Sequence, residues 1–111
     1  MKHFTRLKTS KEFNRVYNSP TKTWHTPYFV LFYQENETHT VGFVASKKIG
    51  NAVHRNRAKR LLRAHFIENI HRLKRGSYVL VAKPALLTHD FLGVRKSYLY
   101  ALKKCTALND D

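Results

Sequence analysis

The residues able to do chemistry unaided are few and far apart. Seven acids occur: Glu12, Glu35, Glu37, Glu68, Asp90, Asp110 and Asp111. Two-metal hydrolysis needs carboxylates that converge on ions a few ångströms apart. The close pairs here, Glu35 with Glu37 and Asp110 with Asp111, read as solvated acids of a polar turn and a terminal tail. None of the seven histidines has metal-ligand spacing such as an i, i+4 pair. His65 falls on the apolar side of a predicted helix and reads as a core histidine. His54 lies in a basic stretch, where it could contact RNA or act as an acid–base group. Cys105 stands alone, which excludes an intrachain disulfide and a cysteine-based zinc site. No Walker loop and no GxGxxG run is present. No residue is therefore assigned a catalytic role, and no metal site is expected in the chain.

The residues that do cluster are cations. The stretch "SKKIGNAVHRNRAKRLLR", Ser46 to Arg63, holds seven of the 21 Lys and Arg residues in eighteen positions. No acid appears from Thr38 to Ile67. At 100° per residue, Asn56, Arg60 and Arg63 stack on one helix face at i, i+4, i+7, with Arg57 beside them. Arg offers planar, permanently charged donors that match phosphate. Asn supplies a donor and an acceptor, suited to a base edge or a 2′-OH. A merely solvated face would interleave Glu with Lys, because i, i+4 ion pairs support the helix. Here the repulsion is left for a polyanion to relieve. Lys47 and Lys48 lie near the helix N-terminus, whose free N–H groups form a second anion-binding element.

These residues need elements to position them. "TSKEFNRVY" predicts a short first helix capped by Thr9 or Ser10, with Glu12 in its first turn. Phe13, Val16 and Tyr17 share one side of it. "NSPTKTWHTP" reads as an irregular connection. Tyr28 to Tyr33 and Thr40 to Ser46 read as strands of an antiparallel hairpin across "QENETH". Gly50 and Asn51 punctuate the chain, with Asn51 a plausible N-cap. A long helix follows from about Ala52 to Leu73, with Ala58, Leu61, Leu62, His65, Phe66, Asn69, Ile70 and Leu73 on its core face. Gly76 ends it. Ser77 to Ala82 is the next strand, bounded by Pro84. A last helix runs from about Thr88 or His89 to Cys105, with Phe91, Val94, Tyr98, Ala101, Leu102 and Cys105 as its apolar positions. The order predicts an α+β sandwich with helices on a mixed sheet. Phe13, Tyr17 and the aromatics of Tyr28 to Tyr33 could be stacking platforms for unpaired bases or simply core residues.

At 111 residues and 42% hydrophobic content, one domain spanning residues 1–111 is expected. The net charge of +14 attracts a polyanion, with nucleic acid the first candidate and an anionic membrane surface the second. No run approaches the ~18 apolar residues of a membrane span. The start, "MKHFTRLKTS", lacks the apolar core of a signal peptide. A reduced, cytoplasmic setting is the expectation.

At "SKKIGNAVHRNRAKRLLR" the chain resembles the bacterial ribonuclease P protein subunit, whose signature is an Arg-Asn-Arg motif inside V-x-R-N-R-x-K-R-x-x-R. Val53, Arg55, Asn56, Arg57, Lys59, Arg60 and Arg63 supply that run, and Ser46, Lys47, Lys48, Gly50 and Asn51 match before it. "RLK" and Phe13, "VGFVASKK" and "VLVAKP" extend the similarity over nearly the whole chain. The resemblance implies an α-β-β-β-α-β-α fold with a four-stranded mixed sheet and a left-handed βαβ crossover. It implies a catalytic RNA as partner, removal of the 5′ leader of precursor tRNA, and Mg2+ held mainly by the RNA subunit. It implies neither a membrane nor an obligate protein partner. By the same resemblance Phe13, Tyr17 and Phe32 would line a cleft for the single-stranded leader, with Asn56 its most base-discriminating contact. Lys47, Lys48, Arg55, Asn56, Arg57, Lys59, Arg60 and Arg63 would face RNA. Ala58 replaces a commonly larger aliphatic residue, which concerns packing. Charge and aromatics alone fit a ribosomal or other structural RNA-binding protein equally well. A self-sufficient endoribonuclease using His54 or tyrosines is a further alternative. The order of the motif separates the first reading from these two.

Overall fold

Thr9 starts the first helix by a reciprocal exchange with Glu12, and the other elements are closed off in similarly local ways. The computed structural model describes residues 3–88 and 90–109. Its elements are β1 (Thr5–Arg6), α1 (Ser10–Asn18), β2 (Lys22–His25), β3 (Phe29–Gln34), β4 (His39–Val44), α2 (Ala52–Glu68), β5 (Gly76–Ala82) and α3 (Phe91–Lys104). Short 3-10 turns at Lys47–Ile49, Ile70–Arg72 and Pro84–Leu87 join them. The five strands form one mixed sheet in the order β1-β4-β5-β3-β2.

The sheet corrects the expected topology in two places. β3 and β4 do not form a hairpin, because β5 lies between them, antiparallel to β3 and parallel to β4. β5 holds "YVLV" and is covered on both faces, the pattern of a central strand. The residues between β3 and β4 bridge its end: Asn36 Nδ2 donates to Ser77 Oγ at 3.0 Å, and Thr38 N donates to Asn36 Oδ1 at 2.8 Å. β4, α2 and β5 thus form a parallel crossover. The sheet also has five strands rather than four. The connection read as irregular contains β2, paired with β3, and the N-terminal residues add β1, paired parallel with β4.

Alternation sorts the strands onto two faces. Phe29, Leu31 and Tyr33 of β3 enter the main core with Tyr78 and Leu80 of β5. α2 closes that core with Ala58, Leu62 and Phe66, and α3 with Val94, Tyr98, Ala101 and Leu102. Tyr98 is fully buried and satisfies its hydroxyl on the Leu62 carbonyl at 3.0 Å. Cys105 is buried beside them, and burial pushes its thiol up to about 11, so it stays protonated. Val30, Phe32 and Gln34 point to the other face, where α1 packs.

α2 ends at Glu68, earlier than the expected Leu73. Asn69 stops it: the side-chain Nδ2 donates back to the His65 carbonyl at 2.9 Å, and the backbone N donates to Phe66 at 3.1 Å. Leu73 is still buried, but beyond a 3-10 turn. α3 begins at Phe91 after Asp90, not at Thr88, which closes the preceding turn. His89, the other expected start, and the Asp110/Asp111 pair lie outside the described residues. Phe91 is not core either. It stays 45% exposed while its ring stacks on His65 at 4.3 Å.

Candidate nucleic-acid interface

α1 presents two aromatics because its start is fixed. Glu12 N donates to Thr9 Oγ1 at 3.1 Å, and Thr9 N donates to Glu12 Oε1 at 2.9 Å. Backbone N–H groups of Lys8 and Thr9 hold the Glu12 carboxyl below its ordinary range. At the other end, Gln34 Nε2 donates to the carbonyls of Arg15 and Ser19 at 3.2 and 3.1 Å, tying the helix to β3. Val16 is the buried anchor. Phe13 and Tyr17, one turn apart, flank it half-buried, with ring centroids 6.4 Å apart. Phe32 of β3 meets Tyr17 edge to face at 4.9 Å. Burial raises the Tyr17 pKa, so its ring is a neutral platform.

Gly42 of β4 makes room for this cluster. A Cβ there would overlap the Phe13 ring. The same sheet face continues as Val30, Val81 and Val44, which lie side by side in register and remain half-exposed. These valines form an apolar floor beside the aromatics. The sequence reading missed it, because a β-branched residue on a strand looks the same whether its face is covered or open. Strand register was the signal needed.

β4 leads from this floor to the basic segment. Ser46 Oγ accepts from Lys48 N at 3.3 Å, starting the 3-10 turn, and Asn51 Oδ1 accepts from His54 N at 3.1 Å, starting α2. Gly50 joins the two at φ +133°, a conformation that other residues rarely adopt. Lys47, Lys48, Asn56, Arg57 and Arg60 are exposed, and Arg55, Lys59 and Arg63 are half-buried. None of these eight side chains takes part in a salt bridge among the described residues. Glu68 is engaged by Arg95 at 2.7 Å and Glu37 by Arg75 at 3.0 Å, away from this face.

The structure separates what the helical wheel placed together. Asn56 and Arg60 project outward. Arg57 borders a small hollow of about 150 Å³ with Leu61, His65, Leu86 and Phe91, on the α3 side. Arg63 borders a groove of about 400 Å³ with Phe4, Arg6, Val41, Phe43 and Phe66, on the β1 side. The basic surface therefore spans the width of α2 and reaches around both flanks. His65 is buried, stacked between Phe91 and Tyr98, and desolvation lowers its pKa. It serves packing. His54 sits exposed in the first turn of α2 beside Gly50. Among the described residues, no three His, Cys, Asp or Glu side chains converge as a metal site would need. No helix is long and apolar enough to cross a membrane.

This arrangement has known counterparts. The Ribonuclease P family model matches residues 1–106. The ribonuclease P protein component of a Nitratiruptor species is 54% identical over 91 residues, covering 82% of this chain and 83% of that protein. The component from Listeria monocytogenes is 36% identical over 107 residues, covering 93% and 89%. Among solved structures, the Staphylococcus aureus RNase P protein superposes with a TM-score of 0.83 at 26% identity, over 97% of this chain and 100% of that one. The Thermotoga maritima RNase P protein gives 0.77 at 28% identity, over 89% and 96%.

Proposed function

The chain belongs to the ribonuclease P protein family, and on that premise we propose that it binds the catalytic RNA of ribonuclease P and the single-stranded 5′ leader of precursor tRNA. The holoenzyme then cuts the precursor endonucleolytically to leave the mature tRNA 5′ end. The observation that carries this reading is the pairing of two surfaces. One is the exposed, acid-free cationic side of α2, in the family's motif order. The other is the cluster of Phe13, Tyr17 and Phe32 beside a valine floor.

The division of labour follows from the side chains. Lys47, Lys48, Arg55, Arg57, Lys59, Arg60 and Arg63 meet phosphates, which gives affinity without sequence choice. Phe13, Tyr17 and Phe32 stack unpaired leader bases, and stacking tolerates any base because each has a π-face. Asn56 is the group able to discriminate a base edge or a 2′-OH. The chain's carboxylates do not converge, so its own residues do not fit a Mg2+ site. The ion is assigned to the RNA subunit, as is the chemistry. No step of the reaction is routed through a protein side chain.

Reconstitution tests the proposal. Added to a bacterial ribonuclease P RNA at low magnesium and near-physiological salt, the protein should raise the rate of precursor cleavage. No stimulation would leave the structural RNA-binding reading standing. A variant of the Staphylococcus aureus protein is described as defective in mRNA degradation activity. That observation favours mRNA as a second substrate class. An unstructured mRNA fragment in the same assay, with and without the RNA subunit, tests it.

A further inference from the structure

α3 is a second acid-free cationic element that the interface above does not use. From Phe91 to Lys104 it carries Arg95, Lys96, Lys103 and Lys104 and no acid. Arg95 is engaged by Glu68, and the remaining lysines have no carboxylate partner among the described residues. α3 packs beside β2, the edge strand at the far side of the sheet from β1. Successive residues of β2 point to opposite faces. Thr23 lies opposite Phe32 on the aromatic face, and Trp24 lies opposite Leu31 on the α3 face.

Trp24 and Tyr100 meet there edge to face, with centroids 5.8 Å apart and planes at 65°. Tyr100 is about half exposed. The two rings open onto a hollow of about 450 Å³ completed by His25, Thr26, Pro27, Lys96 and Ser97, with no acid in its lining. Lys104 Nζ lies over both rings, 5.8 Å from Trp24 and 5.3 Å from Tyr100. The opposite wall is rigid. Thr26 Oγ1 accepts from Tyr28 N and Phe29 N at 3.1 and 3.0 Å, and Lys83 Nζ donates to the Thr26 carbonyl at 2.7 Å.

We propose that this β2–α3 hollow is a second RNA site, taking one unpaired nucleobase against Trp24 and Tyr100 while Lys96 and Lys104 meet the flanking phosphates. An aromatic surface rimmed by ammonium groups and free of carboxylates complements a nucleotide in both its parts, π-face and phosphate. The volume is that of a small-ligand site and admits a single base. Lys104 now shields the rings and moves to the phosphate when a base displaces it. The site is distinct from the Phe13–Tyr17–Phe32 cleft, because β2 stands between them.

Trp24 is the chain's one tryptophan, so its fluorescence reports this hollow alone. The full chain is titrated with a short single-stranded RNA and, separately, with inorganic polyphosphate. RNA should quench Trp24 saturably, and polyphosphate should not. Quenching should persist in Phe13→Ala and Arg60→Ala, and its midpoint should weaken roughly fivefold or more in Lys96→Gln/Lys104→Gln, given what contact with one base is worth. A bromouridine-substituted oligonucleotide should photocrosslink at Trp24 or Tyr100, with the Tyr100 adduct lost in Tyr100→Ala. Absent quenching, equal quenching by polyphosphate, or quenching abolished by Phe13→Ala would overturn the proposal.

Discussion

Phe13 owes its place to a missing side chain. With a Cβ at Gly42, the Phe13 ring would have to move. Two substitutions therefore test one contact. Phe13→Ala should weaken binding of a precursor tRNA by about 1–3 kcal/mol per stacked base lost, and leave mature tRNA nearly untouched. Gly42→Ala should do the same in part, with α1 still folded by circular dichroism. Equal losses for precursor and mature tRNA would assign Phe13 to packing. His65 makes a separate prediction. Burial holds its pKa below the ordinary value, so the unfolded chain takes up the proton first on acidification. The neutral core histidine thus contributes fully above about pH 6.5, and that contribution falls as pH drops toward the folded-state pKa. Melting temperature should fall more steeply below that pH in the parent chain than in His65→Gln, since the other histidines are common to both. Parallel curves would contradict this.

α2 shows at the scale of an element what could be read in advance and what could not. Its start was legible because it is local: Asn51 caps it, and Gly50 sits at a φ that suits glycine. Gly50→Ala should destabilise the chain, since an L side chain is strained at φ +133°. Its end was misread because Asn69 and Leu73 continue the apolar spacing, and periodicity does not distinguish a helix from a 3-10 turn that returns Leu73 to the core. Strand partners were harder still. Nothing within β3 or β4 says that β5, fifty residues or so from β3, will lie between them; loop-bridging contacts such as Asn36 to Ser77 belong to the tertiary structure. The cationic face was legible as composition, but its spread over both flanks of α2 depends on what packs beside Arg57 and Arg63. Arg60, projecting outward, offers the cleanest test of that face. Arg60→Ala should lower RNA affinity and flatten its salt dependence by about 0.7 in log–log slope for a single-strand phosphate contact. An unchanged slope would remove Arg60 from the phosphate-binding surface.

The whole molecule carries +14, which it must fold against. Self-repulsion opposes the compact state, and salt screens it. Moderate salt should therefore raise the melting temperature of the free protein while lowering its affinity for RNA. Bound RNA relieves the same repulsion and should stabilise the fold by mass action. The cations lie on α2 and α3 while two aromatic surfaces flank the β2–β3 side of the sheet, so the molecule offers RNA more than one face. The central claim, that these surfaces serve ribonuclease P, is tested most directly by cleavage of precursor tRNA by a bacterial ribonuclease P RNA at low magnesium. Cleavage should be accelerated by the intact chain, and less so by Arg60→Ala or by Phe13→Ala on a leader-bearing substrate. Identical rates with and without the protein would contradict the account.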